Sequence, residues 1–422
     1  TFRFCLVQML IYRLSSGQFD VVTAFLYGLL DEIIYMAFPD GYELFLQEKF
    51  GLTYSSTEYC LLLEKALYGL VQAARQWWKK MTEIMKKLGF FPSPADPCLF
   101  VKPAMKNQPP AFIILYVDDG GVIGTPEVIR SVLDALAKEF KIKELGPMKN
   151  FVGWQIHINK ARDTIWINQP KLITNLELHF GKLITTKRNF KTPAATRSVV
   201  MRPVKYEVPT INPDQQSKYR SGVGMLMYLV KHSRPDIANA TRELTKVLDG
   251  ATEAHWKAMM RIIKYVLDTR SYSLRLKPCV TNGNVTLRGI SDSEFAGDRE
   301  TRKSVYGYIT YYCGAPISWK SKSGNSVTLS STEAEYYASS ETAKELLFIY
   351  NLISTMEKLS KVLERSQGVL IKQAQLPLGK NVMSLAAKKS IEGLEQVAYI
   401  TPTTIELPEA PVKRQLRGRS PR

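Results

Sequence analysis

Apolar residues recur at helical spacing in the first quarter of the chain. Leu67, Leu70, Val71, Ala74, Trp77, Trp78, Met81, Met85 and Leu88 share one face, and Arg75, Lys79, Lys80, Lys86 and Lys87 fall opposite. This predicts a helix from Lys65 to Gly89, with Gly89 as its C-terminal stop. Taken alone, it reads as an amphipathic helix with a solvated basic face. Ahead of it, TFRFCLVQMLIY reads as the inside of another helix. Two strand-like apolar stretches end in acids, one at Asp20 and one, Phe112–Val117, at Asp118 and Asp119. Tyr219–Leu248 and Glu253–Leu267 read as helices, Val285–Ser330 as strand-rich, and Ser331–Leu359 as a long helix. Prolines at 193, 203, 209 and 213 make Thr185–Lys218 an extended connector. No internal repeat is present.

Charge narrows the partners. The 422 residues carry a net +18, a surplus that repels itself unless a polyanion is at hand, so nucleic acid or an anionic membrane surface is the natural partner. No apolar run is long enough to span a membrane. The first residues lack the basic leader and small-residue cleavage site of a signal peptide, and the front of the chain looks cut. Five scattered cysteines without C-x-x-C spacing, and four dispersed histidines, argue against a zinc site or a disulfide framework. A reducing compartment fits, cytoplasmic or nuclear and not secreted. The last ten residues, basic and free of acids, read as a disordered tail.

The chemistry lies in the acids. Successive strand residues point to opposite faces, so Asp118 and Asp119 can converge only at a turn, and Gly120 and Gly121 supply turn flexibility just after them. Aspartate also favours turns for its own sake. Asp20, in FDVVTAFLYG, is either a helix N-cap or a third carboxylate meeting the other two. Three such acids could hold two Mg²⁺ ions, which prefer oxygen ligands and keep positions open for phosphates.

Several segments, in order, resemble the reverse transcriptase and RNase H region of copia-type retrotransposon polyproteins. They are FDVVTAFLYGLLDEIIYMAFPDGYE, LEKALYGLVQAARQWW, ILYVDDGGVIG and LGPMKNFVGWQI, then YRSGVGMLMYLVKHSRPDIANA and HWKAMMRIIKYVLDT, and finally ISDSEFAGD, SVYGYITYYCGAPISWKSK and LSSTEAEYYA. The likeness covers about residues 1 to 355. It implies an α+β fold: a reverse-transcriptase palm with incomplete fingers and the start of a thumb over 1–184, a linker over 185–218, a helical connection over 219–284, a truncated RNase H-like α/β unit over 285–359, and a divergent basic tail over 360–422.

By the same resemblance Asp20, Asp118 and Asp119 are the catalytic metal ligands, for Mg²⁺ or Mn²⁺. Phe25 is the steric gate against a 2′-hydroxyl, where its alternative is a core phenylalanine. Tyr68, Gly69 and Gln72 lie near the nucleotide, with Gly69 allowing close backbone approach. The implied partners are an RNA template, a DNA primer and deoxynucleotides, with no membrane. Val71 and Ala74 depart from the family's usual Lys and Pro. Asp292 and Glu335 match the first two RNase H acids, although Thr332-x-x-Glu335 also reads as a capping box. No aspartate follows Asp298 and no histidine follows His255, so the family's remaining RNase H ligands are missing and hydrolysis is expected to be lost. The functional expectation is an RNA-directed DNA polymerase. Its alternative is an inactive nucleic-acid-binding remnant.

Overall fold

A computed structural model describes residues 1–105, 108–195, 210–280 and 285–366. Helices and antiparallel sheets are mixed along the chain, an α+β arrangement. Two compact units result. One holds residues 1–152 together with the helix segment from Asn351 onward, and the other holds Gly153–Tyr350. The expected boundary at 184/185 therefore falls inside the second unit.

The first unit is built on a six-stranded sheet in the order Phe91–Pro92, Leu99–Lys102, Ala111–Tyr116, Asp119–Gly124, Ser15–Val21 and Ile142–Gly146. Helices Ala73–Lys87 and Pro126–Glu139 cover it, and Trp77, Met81, Phe100, Ile113, Leu115, Leu136 and Phe140 share their core with Phe19 and Val21. Thr125 caps the second helix by accepting from the Val128 amide, and Pro126 fills a first-turn position that needs no N–H donor. The first helix, Phe2–Ile11, is buried on all sides from Phe4 to Leu10. Part of that cover comes from far along the sequence. Gln8 lies 4.0 Å from the Met356 sulfur, Ser93 and Thr355 share a hydroxyl contact at 3.3 Å, and Leu352 and Ile353 are buried.

The predicted helix from Lys65 starts later. Residues Leu61–Lys65 form a strand paired with Leu29–Met36, and Gly69 then takes φ +101, which no helix accommodates. The helix proper is Ala73–Lys87.

In the second unit, strands Trp154–Ile158, Ile165–Asn168 and Leu274–Leu276 pair antiparallel. Helices Pro170–Phe180, Pro213–His232, Ala238–Leu244 and Glu253–Asp268 close a second core around Tyr219, Leu226, Leu244, Ile262 and Ile263. The helix expected over Tyr219–Leu248 is interrupted at Ser233–Ile237, because Pro235 has no amide hydrogen and biases Arg234 towards extended backbone. Arg234 is buried at that break. Its guanidinium donates to Asp236 and to Thr269, and stacks over Tyr265 and Tyr272. A three-stranded sheet, Leu287–Glu294, Val305–Tyr312 and Ala315–Ser323, precedes the helix Ser331–Ser366. The Trp319 indole donates to the Val230 carbonyl at 2.7 Å, and Lys246 pairs with Asp298 at 2.9 Å, so helices and sheet are joined in one unit. The connector expected over Thr185–Lys218 gives way to helix at Pro213, and its residues 196–209 lie outside the described residues, as does the tail from 367.

Candidate functional site

Strands Ala111–Tyr116 and Asp119–Gly124 form a hairpin in which Tyr116 pairs with Asp119, leaving Val117 and Asp118 as a two-residue turn. The turn demands positive φ, and Val117 supplies it at φ +60, an unfavourable value for a β-branched residue. Two hydrogen bonds hold the turn. The Trp77 indole donates to the Val117 carbonyl at 2.7 Å, and the Val21 amide donates to the Asp118 carbonyl at 3.0 Å.

Gly120 and Gly121 are strand residues, not turn residues, which corrects the expectation from sequence. Their lack of a side chain serves packing. A Cβ on Gly120 would sit 2.0 Å from the buried Phe19 ring, and one on Gly121 would sit 2.4 Å from the Met148 methyl.

Asp20 lies in strand Ser15–Val21, between Asp119–Gly124 and the edge strand, directly opposite Asp119. It caps no helix: the short 3₁₀ turn that follows, Ala24–Tyr27, has Thr23 at its N-cap. Cross-strand partners project to the same face, so Asp20 and Asp119 are neighbours, with Asp118 at the adjoining turn. Burial first, and then the charges of Asp118 and Asp20, raise the Asp119 carboxyl above the usual carboxylate range. On its other side Asp20 pairs with Lys143 of strand Ile142–Gly146, and the Lys143 Nζ stands 3.6 Å from its Oδ2. All three acids offer hard oxygen donors, which suits a divalent cation such as Mg²⁺. Among the described residues no three His, Cys, Asp or Glu side chains are drawn close enough to grip an ion already.

Phe25 is half-buried. It packs against the core on one side and meets the Tyr68 ring on the other, with centroids 4.6 Å apart. Tyr68 is exposed. Gln72 donates to Glu32 at 3.1 Å, and Gln76 and Lys79 hold Asp31 at 2.6 and 2.8 Å, so the helix start is tied to the Leu29–Met36 strand. Gly69 takes φ +101, a backbone conformation that favours glycine, and a Cβ there would meet no protein atom within 4 Å. Val71, in place of the family's lysine, is 93% exposed.

Asp292 and Glu335 are not brought together. Along Leu287–Glu294, Gly289, Ser291 and Ser293 face the helix, and Asp292 lies on the other, exposed face. Glu335 accepts from the Ser293 hydroxyl at 2.7 Å and from its amide at 3.2 Å. The helix cap sits two residues earlier than the capping-box reading had it: Ser330 accepts from the Glu333 amide, and Glu333 accepts from the Leu329 amide.

Lys143 and the Trp77 anchor were absent from the sequence reading. Both depend on strand register and helix placement, which periodicity does not specify.

Residues 8–194 match the family model described as reverse transcriptase (RNA-dependent DNA polymerase). The chain is 33% identical over 388 residues to the retrovirus-related Pol polyprotein from transposon TNT 1-94 of Nicotiana tabacum, covering 90% of this chain and 27% of that one. It is 33% identical over 343 residues to the Pol polyprotein from transposon RE1 of Arabidopsis thaliana, covering 80% and 22%. The RE2 Pol polyprotein of the same plant is 32% identical over 341 residues, again 80% and 22%. The chain thus spans about a quarter of the length of these relatives. By motif order, family match and these likenesses together, the chain belongs to the reverse transcriptase family of copia-type retrotransposon Pol polyproteins.

Proposed function

We propose that this chain carries the nucleotidyl-transfer chemistry of an RNA-directed DNA polymerase, working on an RNA template, a DNA primer and deoxynucleotides. The observation that carries the reading is the register of the central sheet, with Asp20 opposite Asp119 and Asp118 in the turn. A repulsive carboxylate group of this kind costs stability, and a divalent cation would relieve that cost. When bound, Mg²⁺ or Mn²⁺ would lower the pKa of the primer 3′-hydroxyl and offset charge on the departing pyrophosphate.

The protein's own part is placement. Asp20 and Asp119 would offer carboxylate oxygens from rigid strands, and Asp118 would offer one from a turn that Trp77 and Val21 clamp from both sides. Phe25, wedged between core and Tyr68, has little room to yield, which suits a wall excluding a 2′-hydroxyl. Tyr68 would present an exposed ring near the nucleotide, beside Gly69 and Gln72. In this reading Thr1–Val152 corresponds to palm and partial fingers, and Gly153–Tyr350 to thumb, connection and an RNase H-like unit. Asp292 and Glu335 on opposite faces, with no aspartate after Asp298, support an RNase H-like unit that does not hydrolyse.

Primer extension on an RNA template tests the proposal. Extension should fall by about 100- to 1,000-fold in Asp118→Asn, as expected when one charge-stabilising group is lost. Phe25→Val should admit ribonucleotides that the parent rejects. Salt-sensitive nucleic-acid binding with equal background extension in parent and Asp118→Asn would favour a binding remnant instead, a reading that the net charge of +18 also supports.

A further inference from the structure

Across the central sheet Asp119, Asp20 and Lys143 stand in one row, each the direct partner of the next. Side chains in such a row share a face. Asp20 therefore has a carboxylate neighbour on one side and an ammonium on the other, at 3.6 Å. Lysine on an edge strand is common as protection against pairing with other chains, and Ile142–Gly146 is the edge strand here. That role needs a charged side chain but no partner. It does not explain why this lysine reaches the one acid of the neighbouring strand Ser15–Val21.

We infer that Lys143 is the resident counter-ion of Asp20, holding its carboxylate in place while no cation is bound and yielding it when a divalent cation arrives. The inference rests on the proposed metal-binding role of Asp20, Asp118 and Asp119. Lys143 is suited to such exchange. Its side chain is 67% exposed, so the ammonium can swing into water without leaving a buried charge behind. On the far side of Asp20 stands Asp119, with Asp118 at the adjoining turn, so one lysine faces three acids and leaves part of the negative charge unmatched. A cation entering the row has to displace Lys143 from Asp20 and to overcome its repulsion. Lys143 is then a positioning residue that sets the threshold concentration at which the site fills.

A Mn²⁺ titration of the whole chain, read by water-proton relaxation, tests this without relying on catalysis. Lys143→Gln should bind Mn²⁺ about threefold more tightly than the parent, the scale of one exposed ion pair. Lys143→Arg, which keeps the charge, should match the parent. The difference between Lys143→Gln and the parent should shrink as salt is raised, because exposed charges are screened. Unchanged or weaker binding by Lys143→Gln, with parental binding still abolished by Asp119→Asn, would overturn the inference and leave the metal-site reading standing. Parental Mn²⁺ binding that Asp119→Asn does not reduce would overturn the metal-site reading, and this inference with it.

Discussion

At the tip of the central hairpin each residue is placed by a local constraint that can be varied singly. Gly120 packs under the Phe19 ring with no room for a methyl group. Gly120→Ala should therefore cost about 1–3 kcal/mol, the range for overpacking a closed core. Gly121→Ala should cost less, because the obstructing Met148 methyl ends a flexible side chain. Urea midpoints of both variants check the order. Asp119 supplies a pH test. Its folded-state value is raised, so the folded chain holds the proton more tightly than the unfolded chain does. Stability then falls as pH rises from the ordinary aspartate range through the raised value. Asp119→Asn cannot ionise and should be more stable than the parent near neutral pH. The two should converge below the ordinary aspartate range, as denaturation measured at both pH values would reveal. The acids themselves were legible in the sequence, because adjacent aspartates after an apolar strand restrict the geometry to a turn. The glycines were misread, because sequence does not tell a glycine needed for φ from one needed for space. Val117, not either glycine, carries the positive φ.

At the scale of elements, patterns spanning several turns transferred well and their ends did not. Glu253–Asp268 and the start of the helix at Ser331 fall where apolar spacing puts them. Lys65–Leu70 reads as helix by spacing alone, yet tertiary pairing of Leu61–Lys65 with Leu29–Met36 takes its first residue into a strand. The packing of residues 351–356 in the first unit was not legible at all, since nothing in a local pattern records a partner hundreds of positions away. That segment is testable. Leu352 is fully buried, so Leu352→Ala should lower the stability of the first unit by about 2–5 kcal/mol. Hydrogen exchange in Phe2–Ile11 should quicken in parallel, and slow exchange in that helix would show that the segment is not part of its support. Arg234 is a comparable node in the second unit. Arg234→Ala strands Asp236 and Thr269 and should cost about 3–5 kcal/mol by thermal or urea denaturation.

For the whole molecule, the net +18 is a property of no single site, and it predicts how the chain meets its partner. Binding to single-stranded RNA should weaken steeply and log-linearly with salt, with a slope counting the phosphates neutralised. None of the helices among the described residues is long and apolar enough to cross a membrane. Composition alone raises the expectation of a polyanion partner, whereas division into two units at Val152 and Gly153 required the fold. The central claim is that Asp20, Asp118 and Asp119 act together as one nucleotidyl-transfer site while Asp292 does not contribute to it. Primer extension on an RNA template by the parent, Asp20→Asn, Asp119→Asn and Asp292→Asn, run side by side, tests it most directly. The account predicts extension by the parent and Asp292→Asn at equal rates, and losses of about 100-fold or more in the other two variants. Extension that survives in Asp20→Asn and Asp119→Asn, or that is absent from all four, would contradict it.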